Sequence, residues 1–170
     1  MTEPVKVIAD ILQSELELET GRVRLENQRL NVATAGLTIV VGYVSGKPIG
    51  NNNYSVSDGD GPDDGMTEVQ ELTMHHLVQI DAMSFDDTAR RRLPEILQAL
   101  ASIKAQQSMG TNLMNISRIP ASGFLNVSAL EETAMLNRYT ITVAVTALHR
   151  KEKMAPYYDQ FPNPEVHVNA

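Results

Sequence analysis

Polar and apolar positions change period several times along the chain, and each change predicts an element. Val5, Ile8, Leu12 and Leu16 recur at three- and four-residue steps, which predicts an amphipathic helix with one buried face. Thr2 can cap it, Pro4 suits its first turn, and Gly21 is placed to end it. From Val23 the period is two: Val23, Leu25 and Asn27 alternate with Arg24 and Glu26, as in a half-exposed strand. Leu37 to Val44 is β-branched and apolar on both faces, the pattern of an interior strand. Ser45 to Gly65 is glycine- and asparagine-rich and predicts a long irregular loop, with room for a short hairpin around Ile49 to Val56.

Alternation returns at Met66. Leu72, Met74, His76, Val78, Ile80 and Ala82 share one strand face; Glu71, Thr73, His75, Leu77, Gln79 and Asp81 share the other. Asp86 or Asp87 caps a second predicted helix over Asp86–Ser108, closed by Gly110. Its buried face is Ala89, Leu93, Ile96, Leu97, Leu100 and Ile103, with Pro94 marking a kink or restart. A short strand over Leu113 to Ile119 leads to a Pro120–Gly123 turn. Glu131 to Leu136 favours helix locally, and Arg138 to Arg150 alternates as the last strand. Pro156, Pro162 and Pro164, with Tyr157, Tyr158 and Phe161, predict an extended arm. The order predicts an α+β domain over residues 1–153, a two-layer antiparallel or mixed β-sheet flanked by two helices, with a Pro/aromatic C-terminal arm over 154–170.

Composition narrows the function classes. At 170 residues the chain can bury a core without staples. Fourteen Lys and Arg against 21 Asp and Glu give a net charge of −7, which argues against a protein whose main work is gripping phosphate backbones. The absence of cysteine excludes disulfides, zinc thiolates and thiol nucleophiles, and is compatible with a reducing compartment. No run of 18 apolar residues predicts a membrane span, and the acidic N-terminus is unlike a signal peptide, so an intracellular setting is expected.

Candidate chemistry is sparse. Gly42, Gly46 and Lys47 resemble a phosphate loop, but the spacing is one residue short and Pro48 stands where a magnesium-binding hydroxyl belongs. Asp58, Asp60, Asp63 and Asp64 suggest calcium, but an EF-hand count from Asp58 puts Pro62, Asp63 and Val69 where an acceptor, Gly and Glu are needed. His75 and His76 are strand neighbours facing opposite ways, so they cannot chelate one metal; His76 reads as a hydrogen-bonded core histidine. His149 reads as a strand-end residue and His167 as an arm residue. Arg90, Arg91 and Arg92 spread around a helix and read as a solvated face. No catalytic, cofactor-binding or metal residue is predicted.

The chain resembles the tail terminator (neck, or tail-completion) proteins of contractile-tailed bacteriophages over roughly residues 3 to 150. The resemblance rests on four features. The N-terminal helix is followed by a strand carrying Arg24, Asn27 and Gln28. A glycine- and asparagine-rich excursion separates two long strands. The helix Asp86–Ser108 follows a D-x-M-S-F-D-like segment at Asp81 to Asp86. Ile116-Ser117-Arg118-Ile119-Pro120 leads to the strand Asn137–Arg150. Such a resemblance implies a ring, usually of six subunits, that caps the last ring of the tail tube and stops its polymerisation. It implies docking to head-completion or connector proteins and, in contractile tails, contact with the sheath. It places the protein in the virion neck after assembly in host cytoplasm, with DNA passing through the lumen unbound, no cofactor and no catalytic residue. The acidic balance agrees physically, since an acidic lumen repels phosphate.

In that setting Asp58, Asp60, Asp63 and Asp64 are expected at the lumen or the tube-facing rim, and Tyr157, Tyr158 and Phe161 on a neighbouring subunit or adjacent ring. Two other readings fit the residues. One is another neck or tube protein, such as a head-completion adaptor or tail tube subunit. The other is a small hydrolase whose site gathers His75, Asp81 and His149 across adjacent strands.

Overall fold

The computed structural model describes residues 3–26, 28, 36–49, 53–57, 66–131 and 134–155. Helix α1 spans Pro4–Glu15, with Pro4 at the first turn after Glu3, where a missing N–H costs nothing. Val5, Val7, Ile8, Ile11 and Leu12 form its buried stripe. It ends earlier than Gly21: Leu16 is the C-cap, Glu17 adopts φ 50°, and the Gln13 amide donates to the Leu18 carbonyl at 3.1 Å. Gly21, at φ 88°, serves the turn into β1 instead.

Strand β1 (Val23–Leu25) runs parallel to β2 (Thr38–Pro48), which runs antiparallel to β4 (Met66–Ser84). Strand β8 (Ala134–Ala155) lies between β4 and β5 (Met114–Arg118), giving the path β1-β2-β4-β8-β5. Short strand β3 (Asn53–Ser57) pairs with β4, and β6 (Leu125–Asn126) and β7 (Ala129–Glu131) pair with β8. One parallel pair among antiparallel ones makes the sheet mixed.

The alternation dictates where the core lies. Ile39, Val41, Val78, Ile80, Ala82, Ile141, Val143 and Val145 share one face of the sheet and are at most 2% exposed. The three helices cover that face. Each large side chain buried there contributes about 1.5–3 kcal/mol relative to exposure. The fold is α+β, a mixed sheet with helices layered on one face.

Several expectations are corrected. The second predicted helix is two: α2 (Thr88–Ala101) and α3 (Ile103–Thr111). Pro94 sits within α2 without ending it; the break is Ser102, extended at ψ 157°, whose Oγ accepts from the Ala105 amide at 3.0 Å. The restart changes the helical phase, so Ile103 is 75% exposed instead of buried. Within the stretch predicted as helix, Glu131 ends β7 and residues 134–136 begin β8, which pair as Ala129↔Leu136, Leu130↔Met135 and Glu131↔Ala134. Strand character also continues past Arg150 to Ala155. Residues 45–48 of the predicted loop extend β2, and 53–57 pair with β4 instead of forming a hairpin with Ile49.

The chain divides into two compact units, Met1–Gly50 with Leu72–His149, and Asn51–Glu71 with Arg150–Ala170. The helix-covered core belongs to the first. In the second, β3 pairs with the Met66–Glu71 part of β4, from Asn53↔Glu71 to Ser57↔Thr67.

Candidate functional site

On the sheet face away from the helices, Asp81 is only 5% exposed. Its carboxylate accepts from Arg138 Nη2 at 2.7 Å, from the Thr140 hydroxyl, and from Gln79 Nε2 at 3.1 Å to each oxygen. The period of two explains the gathering: Gln79 and Asp81 share one face of β4, and Arg138 and Thr140 share the same face of β8. Thr142 follows on the same face of β8 by the period of two, and the Ser117 hydroxyl of β5 donates to the Ala144 carbonyl of β8 at 3.2 Å. The network is asymmetric, because the Asp81 side chain is 7% exposed and that of Arg138 42%, with Arg138 Nε itself buried and unpartnered.

On the helix-covered face, near the end of the first unit, His76 is 6% exposed. Its Nε2 lies 3.2 Å from Nε2 of His149, and the Tyr43 ring centroid is 5.9 Å from its own. His76 is thus a hydrogen-bonded core histidine, as its position in the alternation predicts, and its partner is another histidine. Burial, followed by the neighbouring charges of His149 and His75, holds its pKa below the ordinary 6.5.

The segment Asp81 to Asp86 shapes the start of α2. The Ser84 hydroxyl, fully buried, donates to the Asp86 carbonyl at 2.6 Å and accepts from the Ala89 amide at 2.9 Å. Asp86 Oδ1 accepts from the Thr88 amide at 2.9 Å, and Thr88 holds its carboxyl below the usual range. Asp87 occupies the N-cap but makes no side-chain cap; it pairs with Arg90 and Arg91, and Arg90 holds its carboxyl low. Arg92 turns back to Glu95 and to the Leu16 carbonyl at 3.1 Å.

Two concavities lie beside the helices. One, of about 530 Å³, runs between α3 and the outer strand β5, with Met109, Met114, Ile116 and Arg118 in its lining. The other, of about 490 Å³, is polar and sits where the end of α1 meets α2, beside Glu15, Arg92 and Glu95.

The three residues of the hydrolase reading are not brought together. His75 shares a face with Asp81 but stands six residues away on β4, about 20 Å along the strand. His149 lies on the opposite face with His76. Gly42, Gly46 and Lys47 lie in β2, with Gly46 opposite His76 and Lys47 opposite His75, so no phosphate loop forms there. Asp58, Asp60, Asp63 and Asp64, and Tyr157, Tyr158 and Phe161, lie outside the described residues. Among the described residues no three His, Asp or Glu side chains could hold a metal ion, and no helix is long and apolar enough to cross a membrane.

Sequence reasoning missed both the Asp81 network and the His76–His149 pair. Both join strands more than 50 residues apart in the chain. A usable signal was available for each: a polar residue placed on the same face of two long strands.

These features define a mixed-sheet α+β protein with a polar open face and two outer strands. The chain matches no protein-family model, and no curated protein is significantly similar to it.

Proposed function

We propose that this chain is a structural protein of a contractile phage tail, a tail terminator that assembles into a ring of six copies. The ring caps the tail tube, stops its growth and joins it to the head-completion or connector proteins, with the sheath as a further neighbour and DNA passing through an acidic lumen. The observation that carries the reading is the order of elements. An amphipathic helix leads into a short strand, a glycine- and asparagine-rich segment separates β2 from β4, and α2 follows the D-x-M-S-F-D-like turn. Ile116 to Pro120 then leads toward the last long strand.

Two physical features support it. Among the described residues the sheet path ends on three-residue β1 and five-residue β5, edges that a neighbour could meet. The charge of −7 suits a channel along which DNA must slide without adhering. In this reading Asp58, Asp60, Asp63 and Asp64 face the lumen or the tube, and Tyr157, Tyr158 and Phe161 dock on the next subunit or ring. A ring of head-to-tail contacts needs no two-fold partner for such an arm. The protein acts in the virion neck without catalytic residues or a cofactor.

Adding the purified chain to polymerising tail-tube subunits tests the reading. Tubes are expected to stop short and carry extra density at one end. Tubes of unaltered length with bare ends would overturn it.

A further inference from the structure

The Nε2 atoms of His76 and His149 are 3.2 Å apart, and their ring centroids 5.4 Å apart at an interplanar angle of 49°. The centroid separation is close to the nitrogen separation plus the two ring radii, so the rings lie nearly end to end. That is the geometry of a hydrogen bond between them. A shared metal would instead sit to one side, with both rings bent toward it at about 2.0–2.1 Å per bond.

Only one of the two nitrogens can carry the bridging hydrogen, and hydrogen bonding assigns it. Were both rings protonated only on Nδ1, two lone pairs would face each other, and a His76 Nδ1–H would be left in the core without an acceptor. With the hydrogen on His76 Nε2, His149 Nε2 accepts it. His76 Nδ1, buried and unpartnered, is then a bare acceptor. The space where a Gly46 side chain would begin is bordered by that Nδ1 and the Tyr43 hydroxyl.

One added proton can be shared, because an imidazolium donates to a neutral imidazole. A second proton puts two cations in contact. Among the described residues, the titratable groups around His76 are Tyr43 from β2, His75 from β4 and His149 from β8; the charges that bear on it are both histidines, and both oppose a positive His76.

We propose that His76 and His149 form an acid-released latch: one Nε2–H···Nε2 bond ties β8 to β4 at neutral pH, and charging of the buried His76 against its histidine neighbours parts the rings and frees β8 around His149. The sign follows from linkage. The folded pKa of His76 lies below its unfolded value, so the unfolded chain binds more protons in between. The latch's stabilisation is full above about pH 6.5 and is lost as pH falls through the depressed folded value. The latch does not depend on the assembly reading.

The test uses the full chain, with histidine ring nitrogens followed by NMR and amide exchange from pH 8 to pH 5. The Leu148 amide, bonded to the Leu113 carbonyl at 2.9 Å, reports on β8 beside the latch. Wild type is expected to show an Nε2–H on His76 at pH 8. Its Leu148 opening equilibrium, corrected for intrinsic exchange, should rise severalfold on going to pH 5. His149→Gln can hydrogen-bond without charging and should lose most of that rise. Opening independent of pH in wild type, or an undiminished rise in His149→Gln, would overturn the latch. So would zinc at stoichiometric concentration shifting both Nε2 resonances together, since that marks a ligand pair.

Discussion

Replacing Arg138 by Met keeps an apolar stem of similar length but removes the charged donor to Asp81. The Asp81 carboxylate would keep the Thr140 hydroxyl and the Gln79 amide, while losing its shortest charge-assisted nitrogen bond, 2.7 Å from Arg138 Nη2. A hydrogen bond to a charged group contributes about 1.5–3 kcal/mol, and breaking a fully buried pair costs about 3–5. The Asp81 side chain is 7% exposed but that of Arg138 is 42%, so solvent already screens one side and the lower range applies. We expect a loss of about 2 kcal/mol. For a chain of this size that lowers Tm by about 4–8 °C. Urea unfolding followed by circular dichroism measures it, with an unchanged slope as the check that the unfolded state is the same.

The decisive comparison is the double variant Asp81→Leu with Arg138→Met. It removes the buried charge along with its partner, so it should be more stable than Arg138→Met alone. A single variant within about 0.5 kcal/mol of wild type, or a double variant no better than the single, would refute the view that the guanidinium sustains this carboxylate.

Val143→Asp places an unpaired carboxylate at a fully buried central position. It should cost several kcal/mol of a total near 5–15, seen as loss of soluble expression or of a cooperative melt. Ser102→Ala removes the hydroxyl that accepts from the Ala105 amide and should cost about 1 kcal/mol by denaturant unfolding, while Pro94→Ala should not destabilise α2. Gly46→Ala brings a methyl against the Tyr43 hydroxyl and to 3.0 Å from buried His76 Nδ1. Gly42→Ala meets the end of the Glu26 side chain, so melting should fall more for Gly46→Ala than for Gly42→Ala. Removing residues 156–170 should leave the far-ultraviolet dichroism of the folded sheet intact and abolish stable rings in size-exclusion chromatography; unfolding instead would place the arm on its own subunit.

Elements whose burial is one-sided were legible, because burial writes its own period. Val5 to Leu12 announces α1, and His76 to Ala82 announces the core face of β4. Extent was not legible where neither face is buried. Lys151 to Met154 is exposed throughout, so β8 continues there with no alternation to reveal it. The stretch Glu131 to Leu136 has helix-favouring residues, and pairing of residues 134–136 with β7 overrides that local preference there. The break at Ser102 left a weak mark: a serine three residues before Ala105 is a cap signature, overshadowed by the more conspicuous Pro94. The fold class followed from order alone, whereas Asp81 meeting Arg138 and His76 meeting His149 depend on strand neighbours and register, which local periodicity does not encode.

Imaging the purified full chain by electron microscopy at neutral pH, with its mass measured in the same solution, tests ring assembly most directly. The account predicts closed rings with a central channel and a mass six times that of the 18.7 kDa chain. A monodisperse 18.7 kDa monomer, persisting at high protein concentration and in the presence of tail-tube subunits, would contradict it.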